Sequence, residues 1–152
     1  MNSQRSRWIV PVIGLLVVIG MPVLGTWLRR QSEDGCALDG VRIDPVFAVR
    51  IIDVRGVEAR FCCLQCAAWW VQRSGETPRQ VFVTDETSGR WLDAAAASFV
   101  RSGVITNAAT GNRVHTFQSR SDAERHASES RGTILTGSAR PFENIAHSDP
   151  EN

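Results

Sequence analysis

From Trp8 to Leu28 the chain runs without a single charge (WIVPVIGLLVVIGMPVLGTWL), and no other feature restricts what it can fold into so strongly. A helix rising ~1.5 Å per residue needs about 20 apolar residues to cross ~30 Å of hydrocarbon. The stretch meets that requirement, so residues 1–30 are expected to form a membrane anchor with one transmembrane helix. Trp8 and Trp27 fall where amphipathic rings sit at the headgroup level, and Pro11, Pro22 and the glycines at 14, 20 and 25 are tolerated in such helices. A cleaved signal peptide would have a shorter apolar core of ~7–15 residues and a small-x-small site, which does not precede Arg29-Arg30. Arg5 and Arg7 on one side balance Arg29 and Arg30 on the other, so the charge rule does not set the orientation.

Residues 31–145 have the length of one domain, and 146–152 read as a flexible polar tail. The chain is 43% hydrophobic with five tryptophans, enough to build one core. Four of its 17 basic residues flank the apolar stretch, and all 16 acidic residues lie beyond it, so the domain carries 13 Arg against 16 acids. That balance offers no electrostatic footprint for nucleic acid.

Residues 31–45 mix Gly, Asp and Pro around Cys36 and read as a loop. The β-rich runs 46–52 and 57–61, separated by Asp53-Val54-Arg55-Gly56, predict a hairpin that delivers the chain to Cys62. A short helix from Ala67 is expected to end at a Gly75 cap, followed by a strand over 80–84 and a turn at 85–89. Asp93 then predicts a capped helix through AAAASFVRS to near Gly103. A strand over 114–117, a helix from Ser121 or Asp122 to Gly132, and a strand over 133–136 complete an α+β domain.

All four cysteines, Cys36, Cys62, Cys63 and Cys66, lie in this domain. Cys63-Leu64-Gln65-Cys66 is a CxxC, and Cys62 to Cys66 is a Cx3C on the same turn. Either spacing lets two thiolates converge on one ion, with Cys36 as a third ligand, and zinc and copper(I) both accept such sulfur donors. Cys63 is a further candidate, as is a histidine; of His115, His126 and His147, His115 is favoured because it lies on a strand. Two other readings stay open. The cysteines could form stabilising disulfides in an oxidising compartment, or the CxxC could be a thiol-disulfide redox site.

Cys-Ala-Leu-Asp-Gly at 36–40, the Phe-Cys-Cys-Leu-Gln-Cys turn, Val83-Thr84-Asp85, Gly89-Arg90-Trp91-Leu92-Asp93-Ala94, Ala97-Ser98-Phe99-Val100, Phe117 before Ser121-Asp122-Ala123, and Gly132-Thr133-Ile134-Leu135 together resemble the NosL-like copper-binding proteins. The resemblance implies an extracytoplasmic, periplasmic α+β domain of two ββα-type units, and a role in maturing a metalloenzyme, nitrous-oxide reductase in that family. Phe61, Cys62 and Cys66 with an upstream cysteine also resemble a TRASH-type metal knuckle. Of the family's copper ligands only Cys36 carries over: Leu38 stands where members have one methionine, and Thr110-Gly111 where they have a methionine-glycine pair. The cluster at 62, 63 and 66 shifts the expected site towards all-thiolate ligation by copper(I) or zinc.

Trp69, Trp70 and Trp91 are expected in the core. Asp85 and Glu86 read as turn residues, with no nucleophile and base placed beside them, so the chain is not expected to be an enzyme. The sequence thus points to a membrane-anchored soft-metal binding protein whose partner would be an acceptor metalloprotein or membrane complex. The alternative is an interaction module with structural zinc or disulfides.

Overall fold

The computed structural model describes residues 35–143; the expected anchor at 1–30 and tail at 146–152 lie outside the described residues. Among the described residues no helix is long and apolar enough to cross a membrane. The two β-rich runs become β1 (Val49–Ile52) and β2 (Glu58–Phe61), an antiparallel hairpin. Asp53 Oδ1 accepts from the N–H groups of Arg55 and Val57 at 2.9 and 2.8 Å, and Gly56 takes the left-handed φ of +82° that the turn requires. The chain then enters α1 (Leu64–Ser74), which ends where Gly75, at φ +68°, donates its N–H to the Val71 carbonyl. This is the expected glycine cap. β3 (Gln80–Thr84) returns to pair with β1, and β4 (Trp91–Asp93) adds to β3, giving the sheet order β2-β1-β3-β4.

The second half repeats this plan with β5 (Ser98–Arg101), β6 (Val114–Phe117), α2 (Arg120–Ser130) and β7 (Thr133–Leu135), in the order β6-β5-β7. In both halves the first strand lies at the centre, the second and third flank it, and the intervening helix packs on the sheet. The architecture is α+β, two antiparallel sheets each with one helix, as the sequence leads one to expect.

The helix expected from Asp93 to Gly103 is corrected to β4, a tight turn and β5. Local hydrogen bonding overrides the helix propensity of the alanines. Asp93 Oδ1 accepts from Ala95 N at 2.8 Å and its carbonyl accepts from Ala96 N at 3.0 Å, closing a turn. The Arg140 guanidinium then takes the carbonyls of Ala94, Ala95 and Ala97 at 3.4, 2.7 and 3.1 Å. Phe99 and Val100, both fully buried, lie in β5, the central strand of the second sheet.

A main core cluster runs from Val49, Ile51, Phe61, Val81 and Val83 to Phe99, and it contains all four cysteines. Trp70 joins it by tilting on Phe61 at 5.6 Å between ring centroids. Trp69 and Trp91 do not, being 44% and 39% exposed, which corrects their expected place in the core. Trp69 lies on the outward side of α1, while Trp91, on the edge strand β4, is 5.2 Å from the Arg50 guanidinium.

The turn after β3 ties the sheets together. Gln118 N donates to Asp85 Oδ1 at 3.0 Å, Thr116 N donates to Glu86 Oε1 at 3.0 Å, and Glu86 Oε2 lies 2.7 Å from His115 Nδ1. Burial works against charge on His115, but the Glu86 carboxylate and the Val104 carbonyl outweigh it and raise its pKa above the ordinary 6.5. Burial and the neighbouring His115, 4.3 Å away between ring centroids, lower the pKa of His126. These shifts oppose each other in different pH ranges. The His115 contribution is full below pH 6.5 and is lost as pH rises through its raised folded value. The His126 neutral form is favoured, so stability falls as pH drops below 6.5. The urea midpoint is therefore expected to decline as pH rises above about 6.5 through the raised value of His115, and the Glu86→Gln variant to lose that decline. Equal slopes in both proteins would rule this account out.

Candidate metal centre

Cys36 sits on a loop folded back on itself. Its N–H donates to the Val41 carbonyl and its carbonyl accepts from Gly40 N, both at 2.8 Å, with Gly40 at φ +72°. Ala37 N donates to the Arg60 carbonyl at 2.8 Å, docking the loop on β2 beside the hairpin's end. The turn thereby carries Cys36 and Asp39 to the place where β2 becomes α1.

At that junction Phe61 ends β2 and Leu64 begins α1, earlier than the expected start at Ala67, so Cys66 falls in the first helical turn. Cys63 occupies the N-cap position in extended conformation, and its side chain makes no capping hydrogen bond. The second unit shows the contrast. There Phe117 ends β6 and Ser119 caps α2, accepting from Asp122 N. A Ser-type cap contributes about 0.5–2 kcal/mol. The first unit forgoes that contribution and has cysteines at the same junction.

Cys36, Cys62 and Cys66 converge with Asp39: their ligand atoms all lie within 4.8 Å of one another. Cys62 Sγ is 3.5 Å from Cys66 Sγ, and Cys66 Sγ donates to Asp39 Oδ2 at 3.3 Å. All four cysteines are free thiols. The three converging sulfurs are buried, at 4%, 2% and 0% exposure for Cys36, Cys62 and Cys66, whereas Asp39 is exposed. Burial, with the neighbouring Cys63 adding to it, pushes the Cys62 thiol up to about 12. Burial also raises Cys66, assisted by its hydrogen bonds to Cys62 and Asp39. Asp39 goes the other way. Its partial burial opposes ionisation, but hydrogen bonds from Cys36, Val41 N and Cys66 outweigh it and lower its pKa. Cys62 and Cys66 thus hold their protons beside a carboxylate that favours its ionised form, and a thiophilic cation entering the site would displace those protons.

The other sequence candidates lie elsewhere. Cys63 is fully buried, and its Sγ lies 3.3 Å from Thr110 Oγ1. Thr110 is where the resemblance places a family methionine, so that position meets Cys63 rather than the converging group. Leu38, at the other such position, packs against the main core. His115 is outside the converging group; both its ring nitrogens are engaged, by Glu86 and by the Val104 carbonyl at 3.3 Å. His126 lies beside His115, and His147 is outside the described residues. Sequence reasoning missed Asp39. Its signal was the Cys-x-x-Asp-Gly spacing at 36–40, which turns an oxygen donor towards Cys36 much as a CxxC turns a second sulfur.

Fold and site together define a class: an α+β domain of two sheet-and-helix units with a potential soft-metal site of three thiols and a carboxylate. Among solved structures the chain is similar to the copper chaperone NosL from Shewanella denitrificans, with a TM-score of 0.57 and 18% identity over 68% of this chain and 87% of that one. The fold is NosL-like. No protein-family model and no curated protein matches the sequence.

Proposed function

We propose that this protein is a membrane-anchored carrier of a soft metal ion, copper(I) or zinc, which it delivers to an extracytoplasmic metalloenzyme or its assembly complex. The observation that carries the reading is the convergence of Cys36, Cys62, Cys66 and Asp39 within 4.8 Å. Three sulfurs suit a soft or borderline ion and no alkaline-earth ion. The NosL-like fold supports the copper arm, and the uncharged stretch at Trp8 to Leu28 supports the anchor. The exposed Asp39 leaves the cluster an edge that reaches solvent, where an acceptor's thiol can begin stepwise exchange.

A second reading is favoured by the near-complete burial of the sulfurs: a closed zinc site that serves only the fold of an interaction module. Loading the full chain with one equivalent of copper(I) and challenging it with a competing thiol separates the two. The carrier is expected to release the ion with its circular dichroism unchanged. An ion that leaves only as the protein unfolds would establish the structural role, since metal binding there is folding free energy.

A further inference from the structure

The converging donors are not all of one chemical kind. Asp39 Oδ1 accepts from Val41 N at 3.0 Å, which fixes the carboxylate so that Oδ2 faces Cys66 Sγ at 3.3 Å and Cys62 Sγ at 4.0 Å. A four-coordinate zinc ion with Zn–S near 2.3 Å and Zn–O near 2.1 Å separates its sulfurs by about 3.8 Å and a sulfur from an oxygen by about 3.6 Å. The spacings of 3.3 and 4.0 Å from Cys66 and Cys62 to Asp39 bracket the sulfur–oxygen edge, and the 3.5 Å between the two sulfurs falls just short of the sulfur–sulfur edge. Copper(I) has different needs. It is satisfied by two or three soft sulfurs, and a hard carboxylate adds little to its binding.

We propose that Asp39 is the specificity-determining ligand of this site, completing a Cys3Asp shell for a divalent borderline ion such as zinc while standing aside when copper(I) is held by the three sulfurs. The inference rests on the soft-metal reading above and goes beyond it by assigning the choice of metal to one side chain. The same cluster then holds the two ions differently. Zinc is closed in by four donors, and copper(I) remains three-coordinate with its exposed side free for an incoming thiol.

The test compares the reduced full chain with Asp39→Asn, whose amide oxygen can still accept from Val41 N and so preserves the turn. Competition against chromophoric chelators gives each affinity, and cobalt(II) absorption reports the donor set of a divalent ion. Asp39→Asn is expected to lower zinc affinity by at least about 10-fold and to shift the cobalt(II) bands, with copper(I) affinity kept within about 3-fold. Asp39→Glu, which keeps a carboxylate, is expected to recover part of the zinc affinity. Unchanged zinc affinity in Asp39→Asn, or an equal loss for copper(I), would overturn the inference while leaving the carrier reading in place. A wild-type chain that binds neither metal would overturn both.

Discussion

Replacing Cys62 and Cys66 together by serine abolishes binding of copper(I) and zinc, with each affinity falling by more than about 100-fold. Loss of an outer-shell partner alone brings ~10–100-fold, and here two of three sulfurs leave the site. A serine hydroxyl does not ionise near neutral pH and gives a soft ion no soft donor. The fold is expected to survive, because the serine at 66 can donate to Asp39 Oδ2 as the thiol does at 3.3 Å. Far-UV circular dichroism checks the fold and chelator competition the affinity. Near wild-type affinity in the double variant would remove these two residues from the site.

Phe61→Ala has the largest expected effect on stability, about 3–5 kcal/mol by the measure of buried aromatic truncations. Phe61 is fully buried, tilts against Trp70, and pairs in register with Val49 of β1. It is also the last residue of β2 before Cys62, so the cavity opens directly beneath the site. Domains of this kind hold only about 5–15 kcal/mol in total. Metal affinity is therefore expected to fall together with the urea midpoint. A midpoint shift worth less than about 1 kcal/mol would show that Phe61 does not support the junction.

Where side-chain pattern and turn chemistry agree, the fold could be read from the sequence. The hairpin of β1 and β2 was legible because Gly56 supplies a left-handed turn between two β-rich runs, and α1 ended at Gly75 as its cap requires. The run from Asp93 was not legible, because its outcome depends on Arg140, distant in sequence, taking the carbonyls that a helix would use. Trp69 and Trp91 misled because residue type does not report which side of a helix or which edge of a sheet a ring occupies.

The site was half legible. The spacing of Cys62 and Cys66 foretold their convergence, and the turn at Gly40 brings Cys36 to them across the chain. Asp39 went unseen because carboxylates beside glycine usually make turns, and this one does both: it caps Val41 N and faces the thiols. His115 was attractive as a lone histidine on a strand. Its partner Glu86 belongs to a turn that looked merely polar, and the two together tie β3 to β6.

Metal binding by the cysteines underlies every role proposed above for this protein. It is tested most directly by purifying the full chain without reductant, counting reactive thiols, and measuring bound metal by elemental analysis. About one equivalent of copper or zinc is expected, with Cys36, Cys62 and Cys66 reactive only after a chelator strips the ion. Two disulfides and no metal would contradict it.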